Sequence, residues 1–256
     1  MPVPQHQSSL DLAARLKVHA HSCRVVARRT LSSSLAELVL EGDAAQLAGV
    51  AGNDVMVLVS DGDDRLTRRR YSVRSVDIHA NTFTLWLTTT HDGPGVRWAR
   101  SVHEGVHVDV VGPRGKIPLS TTADWHLFVG DVSSLGAFYR MAESIEAPSR
   151  AIFIVEIDDT SDALTATFDE ALGVTAIFVD RGDRSRDDSA GLMSGLAAFT
   201  LPPDEGHAYL FGEFHVMRAV KTALLDRGLS SDHISLKAFY RVGQSNGDNG
   251  EPSKDL

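Results

Sequence analysis

The stretch "TRRRYSVRSVD", Thr67 to Asp77, decides how the first half of this chain is interpreted. It gathers four arginines and a tyrosine into the eight residues from Arg68 to Ser75. The chain as a whole has a net charge of −9, so a local concentration of positive charge needs a reason. The same stretch is rich in β-branched and aromatic residues, which favours a strand.

Alternation along that strand allows two interpretations. Side chains at i and i+2 share a face, so the two faces carry Arg69, Tyr71 and Val73 on one side and Arg70, Ser72 and Arg74 on the other. An edge strand uses solvated arginines to discourage pairing with other chains. A binding strand uses the arginine fork for a diphosphate and the tyrosine ring to cover an aromatic group. The residues alone leave both interpretations open.

The neighbouring segments predict a small antiparallel barrel. Short runs rich in β-branched and aromatic residues alternate with turn-forming residues, and the six runs are CRVVARRT, LAELVLEG, DVMVLVS, RRYSVRSV, TFTLWLTTT and VHVDVVG. A closed barrel suits strands this short because it leaves no exposed sheet edge.

After Asp124 the pattern changes to strands that alternate with helices, which is typical of a parallel sheet in an α/β domain. The fold predicted is therefore a six-stranded antiparallel barrel followed by a parallel-sheet α/β domain of nucleotide-binding type. The expected boundaries are a loose or weakly helical lead-in over 1–16, a barrel over 17–120, an α/β domain over 121–243 and a disordered tail over 244–256.

Composition narrows the class of protein. Hydrophobic residues make up 43% and charged residues 23%, which is typical of a globular chain. No apolar run approaches the roughly 18 residues that span a bilayer, and the N-terminus lacks the pattern of a secretory signal. The one cysteine, Cys23, fits a reducing compartment. We therefore expect a cytoplasmic protein with no stable membrane insertion and no nucleic-acid partner.

Several motifs resemble one known family. The run from Arg69 to Arg74 resembles the Arg-x-Tyr-(Ser/Thr)-x-Arg signature of flavin-binding barrels in the ferredoxin-reductase-like superfamily. Within that group the chain looks most like the siderophore-interacting proteins, the flavin-dependent ferric-siderophore reductases. Further matches are "HDGPGVRWARSVHEGVHVDVVGPRG" (91–115), "YLFGEFHVMRAVKTALLDRGL" (209–229) and "AFYRVG" (238–243). The resemblance covers about residues 18–243.

The resemblance implies FAD on the barrel, NADPH or NADH on the α/β domain with ferredoxin as an alternative donor, and a ferric siderophore as substrate. It implies that Ser72 acts near flavin N5. The residues that it implies for cofactor contact are Arg69, Tyr71, Ser72, Val73, Arg74, His91, Gly93, Gly95, Arg97, Trp98, Ala99, Gly130, Asp131, Glu213, Tyr240 and Arg241. The basic residues assigned to the substrate are Lys221, Lys237 and Arg241.

The residues themselves support one part of this assignment. "GPG" precedes the helical pattern "VRWARS", and the N–H groups at a helix start attract phosphate. An ordinary turn that leads into a short helix is the alternative.

Other positions depart from the family pattern. The segment Gly130 to Ala137 lacks the Glu and Pro that the family usually has there, and no Gly-x-Gly-x-x-Gly fingerprint occurs. Three functions stay open. The first is a ferric-siderophore reductase that releases Fe²⁺. The second is an NAD(P)H-flavin oxidoreductase with another acceptor, and the third is a flavin- or siderophore-binding protein that has lost nicotinamide use.

Three further stretches carry reactive or charged side chains. "HAHSC" places His19, His21 and Cys23 on one strand face, but no fourth ligand is nearby, so we predict no metal site. "DGDD", Asp61 to Asp64, is typical of a turn. "RGDRSRDD", Arg181 to Asp188, predicts either a cofactor-phosphate site or a surface loop whose charges pair with one another.

Overall fold

The computed structural model describes residues 5–60, 66–90, 92–115, 117–146, 149–163 and 173–244. The chain divides into two compact units, Met1–Pro118 and Leu119–Leu256. Four predictions lie outside the described residues: the role of His91, the turn at Asp61–Asp64, the part of the alternating strand-and-helix pattern over 164–172 and the tail beyond residue 244. Within the described part, no helix is both long and apolar enough to cross a membrane.

The first unit is a closed six-stranded barrel with the order β1-β2-β5-β4-β3-β6, and every neighbouring pair is antiparallel. This confirms the predicted barrel. Its elements are α1 (Gln5–Leu16), β1 (His19–Thr30), β2 (Leu35–Glu41), α2 (Ala44–Leu47), β3 (Asp54–Ser60), β4 (Leu66–Asp77), β5 (Thr82–Thr88), α3 (Pro94–Ser101) and β6 (His107–Arg114).

Strand β3 is buried on both faces, and this explains why the lead-in, expected to be loose or weakly helical, is a helix. The valines Val55, Val57 and Val59 belong to the core inside the barrel. Met56 and Leu58 point the other way and pack with Leu12, Ala13 and Val111. The apolar stripe of α1 covers them, so the lead-in forms a regular 12-residue helix because it removes the outer face of the barrel from water.

The second unit is a five-stranded parallel sheet with the order β11-β10-β7-β8-β9, which confirms the predicted α/β class. Its elements are β7 (Trp125–Asp131), α4 (Leu135–Ala142), β8 (Arg150–Ile157), β9 (Gly173–Asp180), α5 (Ala190–Ala198), β10 (Gly206–Glu213), α6 (Phe214–Asp226) and β11 (Ile234–Tyr240). The helix predicted after β7 begins as a 3-10 turn over Val132–Ser134 before α4 continues it.

Two histidines lie at the N-terminal ends of β7 and β10, beside a stack of aromatic rings. His126 is 2% exposed, and its ring lies 6.1 Å from that of Tyr209 with a tilt of 20°. Its Nδ1 has no hydrogen-bond partner among the described residues. Burial lowers the pKa of His126 to about 4, and the nearby His207 lowers it further. Burial, and then the charge of His233, likewise lower the pKa of His207 to about 4.

These histidines predict acid sensitivity of the second unit. In the unfolded chain a histidine takes up a proton near pH 6.5, whereas the folded environment of His126 holds it neutral down to about pH 4. The neutral His126 therefore contributes its full share to the unfolding free energy above pH 6.5, and this share is lost as the pH falls toward 4. We expect His126 alone to account for a loss of about 3 kcal/mol over that range.

The measurement is urea unfolding of the wild type and of His126→Phe at several pH values between 7.5 and 4.5. The phenylalanine keeps an aromatic ring in the stack but has no proton to gain, so its unfolding free energy should fall less steeply. His79→Phe, at an exposed position of the other unit, serves as the control. Parallel pH curves for His126→Phe and the wild type would contradict this account.

Candidate functional site

The first candidate site is built where β4 passes the start of α3. Tyr71 and Arg69 pair with Val55 and Val57 of β3, which face the barrel core. The Tyr71 ring is half-buried, and its centroid lies 5.3 Å from that of Trp98. Its hydroxyl donates to the Gly95 carbonyl at 3.4 Å. Burial raises the pKa of Tyr71 well above its ordinary value, and Arg69 offsets this only in part, so the phenol stays neutral.

Gly95 lets Arg69 lie against α3. A Cβ at Gly95 would stand 3.1 Å from both Cγ and Cδ of Arg69, which is closer than side chains ordinarily approach. The Arg69 guanidinium donates to the Thr67 hydroxyl at 3.0 Å and to the Arg68 carbonyl at 2.8 Å. Its charge is therefore fixed beside the first turn of the helix, where backbone N–H groups already favour anions.

The helix start itself is open. Gly93 has φ of +142°, a conformation that favours glycine, and among the described residues other than its chain neighbours no atom lies within 4 Å of the position that a Cβ would take. Arg97, exposed on α3, lies 3.3 Å from the exposed carboxylate of Asp92. Two guanidinium groups and a helix N-terminus therefore lie in one small region, and this combination suits a phosphate or diphosphate.

The other end of α3 is anchored by arginines that sequence analysis did not identify. Arg28 of β1 donates from Nε and Nη2 to the Ala99 carbonyl at 3.3 and 3.1 Å. Arg100 donates to the carbonyl of Thr89. Cations at the C-terminal end of a helix also complement its dipole. These contacts hold the axis of α3, and with it the direction in which its first N–H groups point.

The remaining predicted residues of the barrel have other neighbours. The Arg74 guanidinium lies over the Trp86 ring at 5.1 Å. Val73 and Ala99 are part of the barrel core. Ser72 is half-buried and pairs across the sheet with Asp54. The structure thus groups Arg69, Tyr71, Gly95 and Trp98, and it gives Val73 and Ala99 a packing role.

The second candidate site lies at the C-terminal edge of the parallel sheet. Asp131 ends β7 and is 4% exposed. Its Oδ2 accepts from the Tyr240 hydroxyl at 2.8 Å, and its Oδ1 accepts from the Ser133 N–H at 2.8 Å. Burial raises the pKa of Tyr240, and the negative charge of Asp131 raises it further. The pair connects the end of β7 to the end of β11, with β10 between them.

Two of the predicted residues at this edge have a structural role. A Cβ at Gly130 would overlap the carbonyl oxygen of Phe211 and would stand 2.5 Å from the Ser134 hydroxyl. Glu213 is 1% exposed and caps α6, and it accepts N–H bonds from His215, from Val216 at 3.0 Å and from Val242 at 3.2 Å. Both residues, which the resemblance implies as cofactor contacts, therefore hold the sheet edge together.

Two arginines of the loop after β9 pair with carboxylates at the end of β8. Arg181 is 5% exposed and forms ion pairs with Glu156 and with Asp158, the latter at 2.7 Å. Arg186 reaches Asp158 at 2.6 Å. Burial acts to lower the pKa of Arg181, but the hydrogen bond to Asp158 and the charges of Glu156, Asp158 and Asp131 raise it overall. Carboxylates thus neutralise part of the positive charge that was predicted to bind a phosphate.

The "HAHSC" strand has no side chains arranged around a shared metal. His21 lies 2.9 Å from Asp43 and 3.2 Å from the Gly112 carbonyl. Cys23 is buried in the barrel core, and burial, followed by the charges of Asp43 and Asp109, raises the pKa of its thiol to about 12. Across the described ranges, no cluster of three or more His, Cys, Asp or Glu side chains could hold a metal ion.

A group of cationic side chains lies at the start of α6. The guanidinium carbons of Arg241 and Arg218 lie 5.1 and 5.6 Å from the centre of the Phe214 ring. Arg241 Nε also contacts His215 Nε2 at 3.2 Å. Of the predicted substrate residues, Lys237 lies over the Phe239 ring at 5.5 Å and Lys221 is half-buried on α6. Arg218 was not predicted, although its i+4 spacing from Phe214 places both on one helix face.

Two family models match this chain. The model described as the siderophore-interacting FAD-binding domain matches residues 50–117, and the siderophore-interacting protein model matches residues 123–243. A relative from Vibrio cholerae named ferric vibriobactin reductase ViuB is 30% identical over 183 residues. The alignment covers 69% of this chain and 65% of that relative, which is less than two thirds of its length.

Solved structures share the fold. A siderophore utilization protein from T. fusca aligns with a TM-score of 0.79 and 22% identity, over 91% of this chain and 96% of that one. The siderophore-interacting protein from Acinetobacter baumannii aligns with a TM-score of 0.77 and 18% identity, over 89% and 92% of the two chains. Both cover the barrel and the parallel sheet, so the order of the two folds is shared.

Loss of the hydrogen bond between Tyr240 and Asp131 is expected to lower the unfolding free energy measurably. Tyr240→Phe removes a donor from a carboxylate that is almost fully buried, so we expect the unfolding free energy to fall by about 1–3 kcal/mol. Tyr71→Phe is the matched control, because the same atom is removed but its bond to Gly95 is long. Urea unfolding of both variants, in the absence of added cofactor, gives the comparison. Equal costs for the two variants would show that the Asp131 contact adds nothing.

Proposed function

Because the chain belongs to the siderophore-interacting protein family, we propose that it is an FAD-dependent reductase of ferric siderophores. The observation that carries the proposal is the contact of Arg69 and Tyr71 with Gly95 at the open start of α3. This contact lies within the residues that match the family's FAD-binding domain. The name of the Vibrio cholerae relative supports the choice of a ferric chelate as electron acceptor.

The residues at this site fit FAD. Arg69, Arg97 and the first N–H groups of α3 would hold the diphosphate, since guanidinium forks and helix starts both bind phosphate oxygens. Tyr71 offers a neutral ring beside them. The missing Cβ at Gly93 leaves the backbone at the helix start accessible to a close-fitting diphosphate, and the missing Cβ at Gly95 makes room for the stem of Arg69.

We assign Ser72 the hydrogen bond to flavin N5, where its hydroxyl would orient the reacting atom. FAD, when bound, would supply the chemistry that converts hydride transfer into single-electron steps. The overall reaction balances when one NAD(P)H and two ferric chelates give NAD(P)⁺, one proton and two ferrous ions. Hard oxygen ligands hold Fe²⁺ less tightly than Fe³⁺, so the iron is released.

The reductant is proposed to be NADPH or NADH, bound at the C-terminal edge of the parallel sheet in the domain over 121–243. Ligands of open α/β sheets bind outside the carboxyl ends of the strands, and Gly130, Asp131, Glu213 and Tyr240 lie at that edge. Ferredoxin is the alternative donor. Lys221, Lys237 and Arg241 are the proposed contacts for an anionic ferric siderophore.

One observation favours a second function. Val132 stands where the family has a glutamate, and the neighbouring Asp131 is already bonded to Ser133 and Tyr240. A chain without nicotinamide use would bind flavin or a siderophore and take electrons from another donor, or none. An NAD(P)H-flavin oxidoreductase with a different acceptor would keep the first half-reaction and fail only the second.

Stopped-flow absorbance at the flavin band tests the proposal. We expect the purified protein to be yellow, and NADH or NADPH to bleach that band promptly under anaerobic conditions. Addition of a ferric siderophore should then restore the band while a ferrous trap develops colour. Colourless protein that retains no FAD after incubation and desalting would overturn the proposal. Bleaching by dithionite alone would favour the second function, and bleaching without Fe²⁺ would favour another acceptor.

The position of Arg28 predicts that its substitution weakens the binding of a ligand with phosphate groups and does not weaken the binding of a ligand without them. Arg28→Met removes two of the hydrogen bonds that anchor the C-terminal end of α3, so the direction of the N–H groups at its start is less firmly held. We expect FAD to bind about tenfold more weakly, a loss near 1.4 kcal/mol, while riboflavin, which has no phosphate, binds as before. Fluorescence titration of the apoprotein with both ligands measures this.

Arg29→Met is the matched control, since Arg29 is the next residue of β1 and pairs with Glu37 at the surface. It should bind both ligands like the wild type. An equal loss of FAD and riboflavin affinity in Arg28→Met would mean that the substitution only loosens the barrel.

A further inference from the structure

We infer that Arg218 and Arg241, stacked on Phe214, form a two-arginine clamp that selects negatively charged ferric chelates over neutral or cationic ones. The inference rests on the proposed function, and it adds Arg218 and Phe214 as specificity-determining residues.

The clamp is assembled from two elements at one edge of the sheet. Phe214 is the first residue of α6, and Arg218 follows one helical turn later. Arg241 comes directly after β11, and the parallel pairing of β10 with β11 places Glu213 opposite Tyr240. Both guanidinium carbons therefore lie within 5.6 Å of one ring centre.

Stacking leaves the binding edges of the two arginines available. A guanidinium over an aromatic ring uses its flat face, while its N–H groups point outward in the plane. Within the part of the chain that the structure describes, Arg241 donates from Nε to His215, so its terminal nitrogens can still donate to a ligand. The half-buried ring also limits the rotamers of both long side chains, so less entropy is lost when a ligand binds.

The charge of this clamp is not cancelled locally. Among the described residues, no carboxylate forms an ion pair with Arg218 or Arg241, whereas Arg150, Arg181 and Arg186 of the same unit each have one. Glu213 is close in sequence, but its carboxylate is buried and accepts three backbone N–H bonds. The Asp187 carboxylate accepts a hydrogen bond from Ser185, which lowers the pKa of Asp187, and the charge of His215 lowers it further. In a chain of net charge −9, two arginines with no carboxylate partner among the described residues favour an anion as their ligand.

The size of the clamp favours a small ligand over a protein. A stable protein interface buries about 800 Å² on each partner, and a single stacked cluster is far smaller than that. Two forks a few ångströms from one ring match the carboxylate or phenolate oxygens around a chelated ferric ion. The occupant we assign is therefore an oxygen-rich ferric chelate with net negative charge.

Binding to the oxidised protein, which cannot reduce iron without a donor, tests the clamp apart from catalysis. Equilibrium dialysis compares ferric citrate, which is anionic, with ferrioxamine B, which is cationic. Arg218→Gln and Arg241→Gln should each weaken ferric citrate binding about tenfold and leave ferrioxamine B unchanged. Arg150→Gln makes the same charge change at the opposite end of the sheet, and it should behave like the wild type.

Turnover gives the second readout. With dithionite as electron donor, both clamp variants should raise KM for ferric citrate, keep kcat, and show a weaker dependence on ionic strength. Circular dichroism and flavin content confirm that each variant is folded and loaded. Equal losses for both chelates, or the same loss in Arg150→Gln, would overturn the clamp. A loss of activity only with a reduced ferredoxin would instead assign the arginines to a protein donor. Wild-type protein that binds ferric citrate through these arginines but reduces no chelate would refute the proposed function alone.

Discussion

The close approach of α3 to β4 is the contact on which the first site depends. It exists because Gly95 has no Cβ, so the stem of Arg69 packs directly against the first turn of the helix. The charge of Arg69, the ring of Tyr71 and the N–H groups of α3 are thereby held within one region. A larger residue at position 95 would push the arginine away, and the cation and the helix dipole would no longer act on the same ligand.

The parallel sheet uses the same device at its own edge. Gly130 leaves no room for a side chain between β7 and β10, and the carboxylates of Asp131 and Glu213 are then bonded to neighbouring groups in place of water. A buried carboxylate is costly unless its oxygens are bonded. These bonds therefore fix the strand ends, and ligand-binding residues in the same turns inherit a rigid frame.

The sequence was sufficient for the barrel, the parallel sheet and the strand that carries Arg69 and Tyr71, since periodicity and turn residues are local signals. It was not sufficient for contacts between residues far apart in the chain. Arg28 and Ala99 are 71 positions apart, and Asp131 and Tyr240 are 109 apart. No pattern of neighbouring residues marks either pair. The lead-in, expected to be loose or weakly helical, forms a helix because β3 leaves apolar side chains on the outside of the barrel.

The arginines of the second unit show how pairing separates structural charge from available charge. Arg181 and Arg186 lie in a loop that looked suited to phosphate, yet carboxylates at the end of β8 neutralise part of their charge. Arg218 and Arg241 lie in segments without a concentration of arginines, but their partner is a phenyl ring, which orients a cation without neutralising it. Arginine density along a sequence is therefore a weaker guide to an anion site than the chemical nature of each arginine's neighbour.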